Sequence, residues 1–335
     1  NFETNLNGTL SMSNTGYNKL YQTNINEKIL INNLIYESMD SINSLGLINN
    51  YEIQIKNFNS DSKNSSEYKN NTENNIQGLF QFNSSYPLKK NGEKYDSTLT
   101  PILNIKINPK PNKNIRNFSS LVDYTNIYSL NRIGSNDTLE GGESLTLGNE
   151  FKILNKQNNE EIFGFNLATS FRNDRNEDLS LMSSLGQKTS NIVGEMNLKT
   201  NEFIEFNYDF IADNNIGDFN YHKIKSNFKV NNFVTSFEFV EENNLIGSES
   251  FLANETSYSI NNNQDLIFRT RKNKKTDLTE YYDLIYQYKM DCLVAGIKYN
   301  KKYYDSGGLK PEENIIFSIT LMPFDNKVNL PGIEK

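Results

Sequence analysis

Apolar and polar side chains alternate in short runs along most of the chain. In residues 202–212, Ile204, Phe206, Tyr208 and Phe210 share one face while Glu205, Asn207 and Asp209 share the other. Phe233, Phe237 and Phe239 oppose Ser236 and Glu238 in the same way, and Ile315, Phe317, Ile319 and Leu321 oppose Ser318 and Thr320. A period of two is the mark of a β-strand. It predicts strands at 2–12, 19–33, 44–56, 74–86, 97–108, 143–154, 162–172, 191–199, 202–212, 218–230, 232–242, 248–260, 264–273, 279–289, 292–303 and 313–323. Most exceed the roughly 5–6 residues usual in soluble sheets and suit a strand tilted across a membrane. A soluble sandwich has the same period, so alternation alone does not choose between them.

The connections discriminate better. Short links at 200–201, 231, 261–263 and 290–291 alternate with longer polar ones at 57–73, 109–142, 173–190, 274–278 and 304–312. Short turns at one rim and long loops at the other are the layout of an outer-membrane barrel. Tyr281, Tyr282, Tyr286, Tyr288, Tyr299, Tyr303 and Tyr304 recur near the ends of the last strands, where a ring with a polar tip suits a lipid–water boundary or ordinary cross-strand packing.

Loop 109–142 is far longer than the median connection of roughly 4–6 residues. Tyr124, Ile127, Tyr128, Leu130 and Ile133 are too apolar for a solvated linker. Arg132 faces a later acidic group of Asp137, Glu140 and Glu143, and Gly141 and Gly142 re-aim the chain into the next strand. The expectation is a loop that folds back onto protein.

Composition narrows the chemistry. Mean hydropathy is −0.67 and aromatic residues make up 12%. No run of about 20 apolar residues exists, so a spanning helix is excluded and any membrane crossing is by strands. A net charge of −7 argues against a nucleic-acid partner, which needs a concentrated basic face. Cys292 is the only cysteine and His222 the only histidine, so no Cys/His metal cage can form and no cofactor is expected. Nucleophile-elbow, phosphate-loop and zinc-protease motifs are missing, and catalysis is not expected. Asp174, Glu177 and Asp178, mixed with Arg172 and Arg175, read as a solvated loop of both signs, and His222 as a strand residue bonded to a neighbour. The chain opens directly in strand pattern without Met or signal peptide, like a segment of a longer protein.

Two blocks resemble a known family. Ser129-Leu130-Asn131-Arg132, then Leu139-Glu140-Gly141-Gly142 and Gly148, is similar to the central signature of the LPS-assembly outer-membrane proteins, the LptD family once named for organic solvent tolerance. Residues 286–324, with Tyr288, Asp291-Cys292, Gly296, Tyr299, Pro311-Glu312 and the strand Ile316–Leu321, resemble that family's end, and Thr100-Pro101 and Tyr128 also fit. The likeness covers much of the chain from about residue 97 onward.

The resemblance implies an all-β, transmembrane antiparallel β-barrel, with about 16 strands here out of about 26 in the family, open or C-shaped as a segment. Residues 1–324 would be the C-terminal part of the barrel and 325–335 a tail, the periplasmic jellyroll and first strands lying outside the chain. Its implied role is assembly and insertion of lipopolysaccharide into the outer leaflet of the bacterial outer membrane through a lateral gate. The implied partners are lipopolysaccharide, outer-membrane lipid, an LptE-like lipoprotein inside the barrel and the periplasmic LPS-transport bridge proteins. Tyr128, Ser129, Leu130, Asn131, Arg132, Glu140, Gly141 and Gly142 would belong to a luminal plug, and Ile315, Ile316, Phe317, Ser318, Ile319, Thr320 and Leu321 to the last strand of the gate. Cys292 would form a disulfide with the N-terminal domain, although family members often carry two adjacent cysteines where this chain has Asp291 and Cys292. The alternatives are a porin or nutrient transporter, which should lack both blocks, and a secreted β-rich adhesin.

Overall fold

The computed structural model describes residues 2–4, 7–21, 24–200, 203–243, 249–290, 292–303 and 311–321. The expected tail at 325–335, Asp291 and Tyr304 lie outside the described residues. Within them the chain forms β1 (Phe2–Thr4), β2 (Gly8–Tyr21), β3 (Ile25–Ser38), β4 (Ser41–Ile42), β5 (Ile48–Lys63), β6 (Thr72–Ser85), β7 (Leu88–Asn91), β8 (Tyr95–Asn108), β9 (Gly142–Asn155) and β10 (Glu161–Arg172). It continues with β11 (Ile192–Lys199), β12 (Ile204–Ala212), β13 (Phe219–Val230), β14 (Phe233–Glu242), β15 (Ser250–Asn261), β16 (Gln264–Asn273), β17 (Leu278–Lys289), β18 (Leu293–Lys302) and β19 (Glu312–Leu321). The only helix among the described residues is one 3-10 turn at Ser184–Gly186. The fold is all-β and antiparallel. Its long strands number about as expected, and the extra count comes from the short pieces β1, β4 and β7.

The chain divides into two compact units, residues 1–195 with 211–218, and residues 196–210 with 219–335. In the first, antiparallel neighbours run from β1 to β10, for example β5 with β6 from Ile48↔Ser85 to Asp61↔Thr72 and β8 with β9 from Tyr95↔Asn155 to Asn108↔Gly142. In the second, β13 to β19 pair in sequence, ending with Leu293↔Leu321 to Lys302↔Glu312.

The first strands do not lie where alternation put them. Expected breaks at 13–18 and 34–43 fall inside β2 and across the end of β3, and the expected loop 57–73 shrinks to 64–71. The polar run Ser13-Asn14-Thr15-Gly16 reads as a turn, but Asn14 pairs with Asn32 and Asn32 with Asn57, so cross-strand partners absorb these residues into the ladder. Backbone pairing outranks local composition here.

Both units are apolar on the exposed face and polar on the covered one. In β5, Ile53 and Ile55 are 40% and 45% exposed, while Gln54 and Lys56 between them are buried. Phe80 and Ile107 are exposed, and Gln81, Asn104 and Lys106 are buried. In the second unit Phe237, Leu252, Phe268, Leu284 and Phe317 are exposed, and Asp283, Gln287 and Asn300 are buried. Ion pairs cross that polar face, Arg269–Glu255 at 2.9 Å and Lys298–Asp283 at 2.8 Å among them. A soluble sheet buries its apolar face, because leaving it in water costs about 25 cal/mol for each Å². The inverse arrangement suits strands whose outer solvent is lipid.

Candidate functional site

The connection 109–141 between β8 and β9 folds over the polar face of the first unit. Its own sequence makes it compact. The Asp123 carboxylate accepts from the Thr125 and Asn126 amides at 2.9 and 3.2 Å, and Asn126 returns a side-chain oxygen to the Asp123 amide at 3.1 Å. This reciprocal turn winds the chain into Ile127, which donates to the Asp123 carbonyl at 3.0 Å. Val122, Tyr124, Ile127, Ile133 and Leu139 are buried, which accounts for an apolar content no solvated loop would carry.

One charged cluster fixes the loop. Arg132 makes two parallel bonds to Glu140, Nε to Oε2 at 2.7 Å and Nη2 to Oε1 at 2.8 Å, and donates to Thr146 Oγ1 at 2.9 Å and Ser144 Oγ at 2.8 Å on β9. Arg172, at the end of β10, also bonds Glu140, and its other nitrogens reach the Leu185 carbonyl at 2.7 Å and the Gly141 carbonyl at 2.9 Å. One carboxylate is thus shared by two guanidiniums, all of them buried. Burial opposes the charge on Glu140, but Arg132, with Arg172 and Lys106 behind it, outweighs burial and holds the carboxyl well below its usual range. Burial pushes the Tyr124 and Tyr128 phenols well up.

The strand wall grips the loop through loop carbonyls. Gln77 donates to Pro111 O at 2.8 Å, Gln81 to Tyr128 O at 3.1 Å, Asn108 to Glu140 O at 3.0 Å and Lys56 to Ser135 O at 3.4 Å, and Lys106 donates to Ser129 O. Gln77 also accepts from Thr138 Oγ1 at 3.0 Å and the Leu139 amide at 2.8 Å. The next connection, 173–191, joins this loop through Ile115 N to Asp178 O at 2.8 Å and Leu181 N to Arg116 O at 3.0 Å.

Two glycines are required by contact and by conformation. A Cβ on Gly148 would lie 1.7 Å from the Tyr128 hydroxyl, so the glycine is the seat of that ring. Gly142 has φ +86°, which turns the chain out of the loop into β9.

Of the expected loop residues, Arg132 and Glu140 meet as paired charges, Gly141 and Gly142 close the loop, Ser129 is exposed with its carbonyl on Lys106, and Leu130 is half-buried. Asn131, though exposed, donates to the Ser135 carbonyl at 3.0 Å. The acidic group divides: only Glu140 pairs with Arg132, and Asp137 pairs with Lys113 at 3.2 Å. Arg172 is a correction, since it is buried on Glu140 and not a solvated loop charge. Lys56, Gln77, Gln81 and Lys106 were missed, and the available signal was their placement on the face opposite Ile53, Ile55 and Phe80. His222 is bonded through Nδ1 to the Tyr208 hydroxyl at 2.7 Å, as its strand position suggested. In the second unit, Ile315, Phe317, Ile319 and Leu321 of β19 are highly exposed, Ile316 less so, and Ser318 and Thr320 alternate with them. Cys292 is an exposed free thiol in the turn before β18.

A family model described as "LptD: LPS transport system D" matches residues 15–250. It takes in Ser129–Arg132, Leu139–Gly142 and Gly148, begins well before residue 97, and stops short of the block at 286–324. Two engineered mutants of the Rh. blastica porin are similar in structure at TM-scores of 0.34 and 0.35, with 9% and 8% identity, over 88% and 93% of this chain and 95% and 98% of theirs. Those scores are too low to argue from. No curated protein matches the chain.

Proposed function

The chain belongs to the LptD family, β-barrel proteins of the bacterial outer membrane that handle LPS, and we propose that it is the translocating wall through which lipopolysaccharide reaches the outer leaflet. The observation that carries this reading is the polar strand face covered by loop 109–141, clasped at Glu140 by Arg132 and Arg172. A hydrated saccharide needs a polar path, and a membrane must not leak while the path is idle. A covered polar wall meets both needs.

In this reading loop 109–141 is the plug, and Ile315–Leu321 of β19 form one lip of a lateral gate. β19 turns apolar side chains outward, as a strand bordering lipid must. An LptE-like lipoprotein within the barrel and periplasmic bridge proteins complete the route, and Cys292 is the thiol that would tether a periplasmic domain. The porin alternative is disfavoured by the family match over residues 15–250, which takes in the signature from Ser129 to Gly148.

The test ties the plug shut. Gln77 and Thr138 touch at 3.0 Å, so Gln77→Cys with Thr138→Cys in the full-length protein, with each single cysteine as control, accepts a short photocleavable thiol crosslinker. Crosslinking is expected to stop newly made lipopolysaccharide from reaching the cell surface, and cleavage of the crosslinker by light to restore it. Unchanged delivery with the crosslink in place would rule out the plug.

A further inference from the structure

The stretch Arg269-Thr270-Arg271-Lys272-Asn273-Lys274-Lys275 puts five cations into seven residues of a chain whose net charge is −7. Alternation along β16 divides them. Arg269 and Arg271 belong to the polar face, where they pair with Glu255, Glu249 and Glu280. Lys272 shares the other face with the exposed Leu266 and Phe268 and lies across from Leu252 of β15. That face is the apolar one, and its registers carry the exposed Phe237, Leu252, Phe268, Leu284, Ile297 and Phe317 from β14 to β19.

Cations on this face are confined to one rim. Among the described positions of β13–β19 that share it, the lysines are Lys272 and Lys301, both at strand ends that run into the longer links 243–249, 274–277 and 303–311. The ends at the short turns 231–232, 262–263 and 290–292 bear Val230, Ile260, Leu293 and Leu321 instead. Long links mark the outer rim of such a barrel.

A lysine facing lipid must carry its charge up to the headgroups. Lys272 does so, reaching Asp277 in the link at 2.5 Å. Lys301 pairs with Glu313 at 2.6 Å and lies 5.6 Å from the Tyr303 ring, which meets Tyr282 edge-on at 6.0 Å. Rings with polar tips sit where tails give way to headgroups. Lys274 stands 5.0 Å over the ring of Phe239, which lies across from Leu252 on the apolar face, and Lys275 is exposed beside it. Among the described residues neither Lys274 nor Lys275 joins an ion pair. Of the nearby carboxylates on this face and its link, Asp277 and Glu313 are taken by Lys272 and Lys301, and Glu241 lies across from His222.

We infer that this rim of the second unit is a docking band for a lipid headgroup bearing more than one phosphate, with Lys274 and Lys275 as its uncommitted cations. The fit is one of charge and level: two ammoniums without counter-ions stand at headgroup height beside an apolar wall, and lysine is a compact donor to phosphate. A headgroup with one phosphate would engage one of them and leave the other. At the outer rim of an outer-membrane barrel the occupant is the phosphate-bearing glycolipid of the outer leaflet, met from the membrane side and not as cargo. The inference needs only that location and goes beyond translocation.

The test adds bisphosphorylated lipid A, its monophosphorylated form or phosphatidylglycerol to full-length protein in neutral detergent, and native mass spectrometry counts the retained lipid. Wild type is expected to hold the bisphosphorylated lipid most tightly. Lys274→Gln with Lys275→Gln should weaken that binding roughly tenfold, whereas Lys274→Arg with Lys275→Arg should keep it, because each cation near a charged headgroup contributes a factor of several. A photo-crosslinking residue in place of Leu252, across from Lys272, should capture the lipid with the native lysines and lose it with the glutamine pair. Phosphatidylglycerol held as tightly as bisphosphorylated lipid A, undiminished binding by the glutamine pair, or capture that ignores the lysines would each overturn the band. The wild-type comparison decides alone if the glutamine pair does not fold. Surface delivery of lipopolysaccharide separates this inference from the translocation reading. Wild type that fails to deliver sinks only that reading, and delivery lost in a folded glutamine pair would put these lysines on the cargo route and overturn a band outside it.

Discussion

Glu140 is the residue on which loop and strands converge, and its titration has a definite sign. Burial opposes its charge, yet Arg132 and Arg172 hold the carboxyl below the usual range. A carboxylate depressed in the folded state adds stability that is fully present above its unfolded value, about 4.3, and is lost as pH falls through the lower folded value. Thermal unfolding of the protein in detergent should therefore be insensitive to this group from neutral pH down to about 5, with its contribution fading only in stronger acid. Glu140→Gln should remove that acid step and, by leaving two buried guanidiniums short of their counter-charge, cost about 3–5 kcal/mol at neutral pH. A variant with the wild-type melting curve at neutral pH would contradict the shared-carboxylate account.

Strands carry the inverted pattern, and it predicts opposite outcomes for neighbouring positions. Phe80 is on the exposed apolar face of β6 and Gln81 on the covered one. Phe80→Arg should weaken folding into lipid by about 2–4 kcal/mol if it lies near the midplane, because a charge then faces hydrocarbon. An exposed phenylalanine on a soluble sheet would tolerate the same change almost freely. Refolding titrations into lipid vesicles read the difference, and no loss for Phe80→Arg would argue against a lipid-facing β6.

For the molecule as a whole, the loop is expected to be a permeability barrier as well as a regulated contact. Cells whose only copy is full-length protein with Arg132→Ala and Arg172→Ala should admit large antibiotics that the wild type excludes, since both clasps on Glu140 are gone. Wild-type resistance in that strain would mean that the five carbonyl grips from Lys56, Gln77, Gln81, Lys106 and Asn108 hold the loop without the charges.

By itself the sequence determined the strand class, the later strand positions, the length of loop 109–142 and the attraction between Arg132 and Glu140. These follow from local rules: a period of two, turn residues, and opposite charges a few residues apart. The loop's apolar content also announced that it would bury itself. Only the tertiary structure decided the registers of β2, β3 and β5, because asparagines pair across strands in a way no single strand encodes. It alone turned Arg172 inward onto Glu140, 32 residues away in the chain. It alone set Lys56 and Lys106 against carbonyls of a loop that follows them. Charge is legible in a sequence, but which charges are desolvated together depends on which strands are neighbours, and that is decided by backbone pairing over the whole sheet.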